Sequence, residues 1–276
     1  MALPATLGEA LLVARGRIDS VDAKVLLREA SGCSAAALIG FPERELSPEA
    51  AMKYADWLAR RETGEPVAHL VGSREFYGRT FRVTPDTLIP RPETELLVEL
   101  SVERLKGTSK PAALDLGTGT GAIAISLALE CQYAHVTAID ASHAALLVAQ
   151  ENARSLDAKV RFLRGSWFGP LGSERFDVIA SNPPYIAAND VHLGQGDVRF
   201  EPLSALVAGS DGLDDIRHII SAAPAHLKAG AWLLLEHGYD QAERIRALFA
   251  ASGFAGIQSW QDLAGVERVS GGRLDS

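Results

Sequence analysis

After residue 110, the chain alternates short apolar runs with longer stretches of helical character. Helical stretches such as Gly121–Glu130 and Ser142–Ser155 lie between the apolar runs. Strands that are separated by helices pair in parallel, and the helices cover both faces of the sheet, so the pattern predicts an α/β fold. Five runs are predicted to be its strands: Ala112–Leu116, Val136–Asp140, Val160–Leu163, Phe176–Ser181 and Trp232–Glu236.

Two further extended runs near the end of the chain have little helix between them. They are Ile257–Gln261 and Glu267–Ser270. Strands joined by a short connection pair antiparallel, so we expect this pair at one edge of the sheet.

The first 74 residues are predicted to form a small helical domain. Ser47-Pro48-Glu49 is a favourable helix start, because Ser47 can cap the helix and proline is tolerated in its first turn. The apolar side chains that follow predict its buried face: Met52, Ala55, Trp57 and Leu58.

Residues 75–95 are predicted to be a hairpin and a linker, followed by a second domain over residues 96–276. Apolar side chains alternate around Gly78, which is typical of a short hairpin. In Leu88–Glu95, two prolines flank Arg91 and stiffen the loop. A helix is predicted from Leu96 to Leu105.

The chain is acidic, with a net charge of −8, of which residues 1–80 carry −1 and the remainder −7. Phosphate contacts need clustered Lys and Arg, so we expect no direct binding of nucleic acid. No window approaches the roughly 18 apolar residues of a membrane span. The start of the chain lacks a secretory signal, and Cys33 and Cys131 lie far apart in no metal-ligand spacing. We therefore expect a cytoplasmic protein with no metal and no membrane partner.

A glycine-rich turn, Asp115–Gly121, follows the first predicted strand and opens a helix. Gly117, Thr118, Gly119, Thr120 and Gly121 have the spacing G-x-G-x-G, not the G-x-G-x-x-G of dinucleotide-binding proteins. Glycines let the backbone approach a ligand closely. Taken alone, the turn could equally be a plain connection between strand and helix.

Two other residues strengthen the case for a ligand site at this edge of the sheet. Asp140 ends the second predicted strand, where a carboxylate can accept hydrogen bonds from both ribose hydroxyls of an adenosine group. Trp167 follows the third predicted strand, where its ring would either face adenine or belong to the core.

The most specific motif, Asn182-Pro183-Pro184-Tyr185, follows the fourth predicted strand. Pro183 restricts Asn182 to an extended conformation, and the two prolines remove two N–H donors. The side-chain oxygen of Asn182 and the carbonyl of Pro183 could each accept a hydrogen from a substrate –NH₂ group. Tyr185 supplies a flat face for a planar amide or base. The pattern indicates methyl transfer to a nitrogen, which needs orientation of that nitrogen and no dedicated base.

At these residues the chain resembles the HemK/PrmC family of protein-(glutamine-N5) methyltransferases, which act on bacterial release factors. Three further segments carry the resemblance: Ile89–Glu95, Gly196–Pro202 and Leu234–Gly238. The resemblance implies a seven-stranded, Rossmann-like class I methyltransferase sheet behind the helical domain, and S-adenosylmethionine as the methyl donor. It also implies class I peptide-chain release factors as partners, with the glutamine of their Gly-Gly-Gln motif as the target.

The resemblance assigns roles to the motif residues. Gly117–Gly121, Asp140, Trp167 and Asn182 would bind the methyl donor, and Asn182, Pro183, Pro184 and Tyr185 would hold the glutamine. A DNA or RNA amino-methyltransferase would share the second motif, and a catalytically silent adenosine-ligand sensor would share the first.

Three other features are predicted to have structural roles only. His237 is expected to be hydrogen-bonded in the core or in a loop. Glu201 could order the reactive loop through Arg199 or Arg91, but a surface ion pair is the expectation. The acidic cluster Asp211, Asp214 and Asp215 is expected to mark a turn and the start of a helix rather than a metal site.

Overall fold

A computed structural model describes residues 3–275 of the chain. The chain divides into two compact units. The smaller contains the residues up to Ser73 together with Gly194–Phe200, and the larger contains Arg74–Leu193 and the residues from Glu201 onward. The predicted hairpin and linker therefore belong to the larger unit.

The smaller unit is helical, as the sequence predicts. Its helices are α1 (Leu7–Ala14), α2 (Ser20–Ser31), α3 (Ala35–Gly40), α4 (Pro48–Glu62) and α5 (Val67–Val71). Within this unit Gly194–Phe200 is held by an ion pair of 2.8 Å between Arg61 Nη1 and Asp197 Oδ1, and by a hydrogen bond from Arg199 to the carbonyl of Thr63.

Helix α4 begins where the sequence predicts, but its buried face differs from the predicted one. The Ser47 hydroxyl accepts a hydrogen bond of 3.2 Å from the Ala50 backbone and caps the helix. Trp57 is buried as expected, whereas Met52 is 62% exposed and Tyr54 is buried instead. The prediction for Met52 is wrong because the apolar stripe of this helix runs through Ala51 and Tyr54, and Met52 lies beside it.

The predicted hairpin consists of β1 (Ser73–Phe76) and β2 (Arg79–Arg82). Its two turn residues, Tyr77 and Gly78, both have positive φ, which is the requirement of a tight two-residue hairpin turn. The Tyr77 backbone donates a hydrogen bond of 2.8 Å to the carboxylate of Glu95 in helix α6 (Thr94–Leu105). The Glu95 side chain therefore fixes the hairpin to α6.

A seven-stranded sheet forms the centre of the larger unit, in the order β5-β4-β3-β6-β7-β9-β8. The predicted α/β fold with a Rossmann-like sheet is confirmed. The first five strands in this order pair in parallel, and β9 pairs antiparallel with both of its neighbours, as expected for the edge of the sheet. Their bounds are β3 (Ala112–Leu116), β4 (His135–Asp140), β5 (Val160–Arg164), β6 (Phe176–Ser181), β7 (Leu227–Glu236), β8 (Phe254–Gln261) and β9 (Glu267–Leu274).

Helices cover both faces of this sheet, and each face has its own apolar core. Ala113 and Leu114, adjacent in β3, belong to different cores. The helices of the larger unit after α6 are α7 (Ala122–Glu130), α8 (His143–Ser155), α9 (Asp214–Ala222) and α10 (Ala242–Ala251). Strand order reverses between β3 and β6, so the carboxyl ends of these strands flank the crevice in which such folds bind ligands.

Two glycines in β9 allow this strand to lie between β7 and β8. A Cβ atom on Gly271 would stand 2.8 Å from the carbonyl oxygen of Leu233 and 2.6 Å from the Leu234 side chain. We expect Gly271→Ala to lower the free energy of unfolding by about 2 kcal/mol, because overpacking must shift β7. Urea denaturation measures the change, with Gly194→Ala as the control because a Cβ there has no neighbour within 4 Å. Equal stabilities of the two variants would contradict the prediction.

Candidate active site

The carboxyl ends of β3, β4 and β6 surround a pocket of about 250 Å³ within the larger unit. The first predicted motif contributes Gly117, Thr118, Gly119 and Thr120 to its lining. The structure also brings to this pocket Asp140, Trp167, Asn182 and Pro184, which lie up to 67 residues away from Gly117 in sequence. Most of the site residues predicted from the sequence therefore line one pocket.

The glycines of the turn serve different purposes. Gly119 has a φ of +55°, and a Cβ added there would meet nothing within 4 Å, so its backbone is open to a ligand. Gly121 has a φ of +83°, and a Cβ there would lie 2.8 Å from Ile125 and 3.2 Å from Ala149. Gly121 therefore permits close packing of α7 against α8 behind the pocket.

Asp115, at the end of β3, holds the turn from beneath. Its Oδ2 accepts hydrogen bonds of 2.6 Å from the Thr118 hydroxyl and 3.2 Å from the Ala124 backbone. Complete burial raises the pKa of Asp115 to about 7. The motif in the sequence includes Asp115 without a role; an acid next to the end of an otherwise apolar strand is the signal that could have indicated one.

Asp140 lines the pocket and also orders the turn opposite it. One carboxylate oxygen accepts a hydrogen bond from the Gly119 backbone and the other from the Ser142 backbone, each 2.8 Å long. Burial raises the pKa of Asp140. Each oxygen keeps a further lone pair, so the carboxylate fits a group that donates two hydrogen bonds, such as the diol of a ribose.

Trp167 lines the pocket and also packs against the core. Its ring lies 3.6 Å from the position of a Cβ on Gly117, and its backbone has a φ of +47°. Asp215 also lines the pocket; burial raises its pKa, and the neighbouring Trp167 side chain opposes that rise. A non-glycine residue with positive φ is uncommon and indicates that the surroundings hold it in place.

The second motif is divided between the pocket and the protein interior. Asn182 and Pro184 line the pocket, and the Asn182 amide donates a hydrogen bond of 3.3 Å to the Thr94 hydroxyl. Pro183 is buried, and Tyr185 is half-buried against the core, with its backbone carbonyl held at 2.9 Å by Gln241. Burial raises the pKa of the Tyr185 phenol above its usual range.

Thr94 and Glu236 complete the surroundings of Asn182, and sequence reasoning assigned a role to neither. Thr94 is the first residue of α6 and Glu236 the last of β7. Both are buried polar side chains close to the motif. The position of Glu236 directly after a continuous apolar strand is the signal that could have identified it.

The predicted surface location of Glu201 is wrong, whereas Arg91, one of the two partners that the sequence leaves open, does form an ion pair with it. Glu201 is 5% exposed, accepts a hydrogen bond of 2.8 Å from the Ile89 backbone and forms an ion pair with Arg91. The linker between residues 88 and 92 covers this carboxylate, and pairing with Arg91 compensates its burial. The Ile89–Glu95 and Gly196–Pro202 segments thus meet at Glu201.

We expect Glu201→Ala to lower the free energy of unfolding by about 3 kcal/mol, because it removes one partner of a largely buried ion pair and an acceptor of a buried N–H. Chemical denaturation measures the change. Glu174→Ala, which breaks the exposed pair with Arg161, is the control and should cost less than about 1 kcal/mol. A loss no larger for Glu201 than for Glu174 would contradict the prediction.

His237 and the acidic cluster have the structural roles that the sequence predicts. His237 is buried, its Nε2 lies 2.8 Å from the Ser270 hydroxyl, and burial lowers its pKa. Asp211 forms ion pairs with Arg217 and Arg244, and α9 begins at Asp214. Over residues 3–275, no group of three or more His, Cys, Asp or Glu side chains has an arrangement that could hold a metal ion.

The sheet order, the glycine turn and the pocket at its switch point define the class of protein as a methyltransferase with a Rossmann-like fold. The family model described as methyltransferase small domain matches residues 93–197, and the PrmC N-terminal domain matches residues 7–72. Two solved structures share the fold. A Pyrococcus furiosus methyltransferase has a TM-score of 0.55 and 19% identity over 80% of this chain and 100% of that one. A T. thermophilus 16S rRNA methyltransferase has a TM-score of 0.56 and 23% identity over 73% of this chain and 49% of that one.

Relatives of much higher similarity identify the family. A release factor glutamine methyltransferase of Burkholderia pseudomallei is 49% identical over 98% of this chain and 97% of its own length. A protein of the same name from Pseudomonas aeruginosa is 50% identical over 92% of both chains. This chain therefore belongs to the release factor glutamine methyltransferase family. None of the helices in residues 3–275 is long and apolar enough to cross a membrane.

Proposed function

We propose that this enzyme transfers a methyl group from S-adenosylmethionine to the side-chain nitrogen N5 of the glutamine in the Gly-Gly-Gln motif of class I peptide-chain release factors. The observation that carries the proposal is the position of Asn182, whose side chain lines the pocket beside Gly119 and Asp140. Similarity to the release factor glutamine methyltransferases over almost the whole chain supports the choice of acceptor.

The pocket residues fit the methyl donor. Asp140 would accept hydrogen bonds from the ribose hydroxyls, and the indole of Trp167 would lie against adenine. The backbone of Gly117–Gly121 would approach the amino-acid part, because Gly119 presents no side chain toward open space. Asn182, at the end of β6, would border both the donor and the acceptor.

S-adenosylmethionine would supply a methyl group already activated by its bond to a positively charged sulfur, would leave as S-adenosylhomocysteine, and the methylated nitrogen would then release one proton to solvent. The task of this chain is therefore to orient the acceptor amide, whose nitrogen is a weak nucleophile because its lone pair is delocalised into the carbonyl. Asn182 Oδ1 and the Pro183 carbonyl would each accept one N–H of the glutamine amide and hold its nitrogen in place. Tyr185 would support the plane of the amide.

Acceptors at these positions would favour the transition state over the ground state. Positive charge develops on the nitrogen, so each hydrogen bond becomes charge-assisted and contributes about 1.5–3 kcal/mol. Orientation of the reacting groups contributes several kcal/mol more, on the order of the effects of proximity in other enzymes.

The helical unit, residues 1–73 with 194–200, would help to hold the release factor. Its Gly194–Phe200 segment lies between the Asn182 loop and Glu201 in sequence. We further propose that the enzyme works in the cytoplasm, where translation ends, and does not contact nucleic acid directly. The net charge of −8 supports the latter.

Purified enzyme with S-adenosylmethionine labelled in its methyl group tests the proposal. The acceptors are an intact release factor, the same factor with its Gly-Gly-Gln glutamine replaced by alanine, ribosomal RNA and duplex DNA. We expect label in the intact factor alone. Label in RNA or DNA, with none in the factor, would show a nucleic-acid amino-methyltransferase and contradict the proposal.

A further inference from the structure

A buried carboxyl group stands directly behind the reactive loop. In the parallel pairing of β6 and β7, Ser181 lies opposite Leu235, so the next residues along the two strands, Asn182 and Glu236, are neighbours. Glu236 is 2% exposed, and its Oε2 has no hydrogen-bond partner among the described residues. Burying a carboxyl oxygen without a hydrogen-bond partner lowers the stability of the fold, so its presence here points to a functional role.

Two polar side chains adjoin this carboxyl group. The Asn182 amide and the Thr94 hydroxyl lie beside Glu236, and both lower the pKa of its carboxyl group. The Asn182 amide donates a hydrogen bond of 3.3 Å to the Thr94 oxygen. The –NH₂ group of Asn182 is thus directed to the protein side, where Thr94 and Glu236 lie.

The orientation of Asn182 decides what it offers to a substrate. The oxygen and nitrogen of a planar amide point in different directions, so fixing the nitrogen on Thr94 and Glu236 turns Oδ1 away from them. The opposite orientation would place Oδ1 against Glu236 and turn a donor toward a substrate –NH₂ group, with which it cannot form a hydrogen bond. Thr94 alone cannot select the orientation, because a hydroxyl both donates and accepts.

We propose that Glu236 is a positioning residue whose carboxylate holds the –NH₂ group of Asn182, so that Asn182 Oδ1 faces the nitrogen to be methylated. An ionised carboxylate only accepts hydrogen bonds and therefore permits a single orientation of the amide. Glu236 acts through Asn182 and needs no contact with the substrate. The inference rests on the proposed function, in which Asn182 holds an acceptor –NH₂ group.

The ionisation of Glu236 gives the proposal a pH dependence. Burial raises the pKa of Glu236 to about 7. Glu93 before α6 raises it further and Arg268 on β9 lowers it, and Tyr185 is the titratable group that faces it from the reactive loop. The protonated carboxyl can donate to Oδ1, so orientation is lost as the pH falls below this pKa. The rate of methyl transfer should therefore rise with pH through about 7.

The test compares Glu236→Gln with wild-type enzyme in single-turnover methyl transfer between about pH 5.5 and 8.5. A glutamine keeps the size of the side chain but presents an oxygen or an –NH₂ group, so it permits both orientations of Asn182. We expect the rate at pH 8 to fall about tenfold, and the rise through pH 7 to disappear. The Kd for S-adenosylmethionine and the KM for the release factor should change less than about threefold. The control is Glu99→Gln, the same substitution at an exposed position of α6, which should match the wild type.

Three results would overturn the proposal. They are an unchanged rate and pH profile in Glu236→Gln, a loss confined to the affinity for S-adenosylmethionine, and a wild-type rate that does not vary over this pH range. The last needs no variant and decides the matter if Glu236→Gln does not fold. If the wild-type enzyme methylates a different acceptor, the same comparison is made on that acceptor, so failure of the proposed function is seen separately.

Discussion

Asn182→Ala should lower the rate of methyl transfer to the release factor by about 10²–10³-fold. The substitution removes the side-chain acceptor that would orient the acceptor nitrogen and stabilise the positive charge that develops on it. Strand β6 and the two prolines that follow do not depend on the side chain of Asn182, so the fold should persist. Rapid-quench measurement of single-turnover methyl transfer gives the rate directly.

Asn189→Ala is the matched control for this variant. Asn189 follows the same loop and is exposed, so its removal should change the rate less than about twofold. A rate for Asn182→Ala within about fivefold of the wild type would show that Asn182 does not hold the reacting nitrogen.

Asp140→Asn should weaken binding of S-adenosylmethionine by about 10–100-fold, because a carboxylate that accepts two ribose hydroxyls is worth more than a neutral amide. The amide also has one acceptor atom for the two backbone N–H groups of Gly119 and Ser142 that the carboxylate now holds, so the glycine turn loses part of its support. The rate at saturating methyl donor should fall less than about tenfold. Isothermal titration calorimetry measures the Kd, and single-turnover kinetics measures the rate.

The control for this variant is Glu243→Gln, which removes the same charge from an exposed position in the first turn of α10. Its affinity should equal that of the wild type. An unchanged Kd for Asp140→Asn would contradict the assignment of Asp140 to the methyl-donor site.

The elements of the larger unit follow from local sequence pattern. The buried runs Ala112–Leu116 and Phe176–Ser181 coincide with β3 and β6, because a strand covered on both faces is apolar along most of its length. The antiparallel edge pair is also as predicted, with β8 starting at Phe254 rather than Ile257.

Burial of charged side chains was not predictable in the same way. The hydrogen bond from the Ile89 backbone to Glu201 joins residues 112 positions apart, and only the folded sheet brings them together. The burial and the neighbours of the Glu236 side chain are likewise set by the pairing of β6 with β7 and by the position of α6. The composition or hydrophobic periodicity of one segment does not show which distant residue its buried charged side chain will contact.

The sequence predicts which residues line the candidate site better than it predicts what each of them does there. Gly119 and Gly121 look alike in the motif, yet one backbone is open to the pocket and the other lies against α8. Met52 and Tyr54 are two positions apart in α4, and a small error in the phase of the helix exchanges which of them is buried. These distinctions are set by tertiary packing.

In the proposed reaction, the Asn182 loop directs the methyl group to the side-chain nitrogen of the Gly-Gly-Gln glutamine. The most direct test is peptide fragmentation by mass spectrometry of a release factor incubated with S-adenosylmethionine and either wild-type or Asn182→Ala enzyme. We expect one added methyl group on that glutamine side chain with the wild-type enzyme, and an unmodified glutamine with the variant at the same time point. A methyl group on any other residue, or equal modification by both enzymes, would contradict the account.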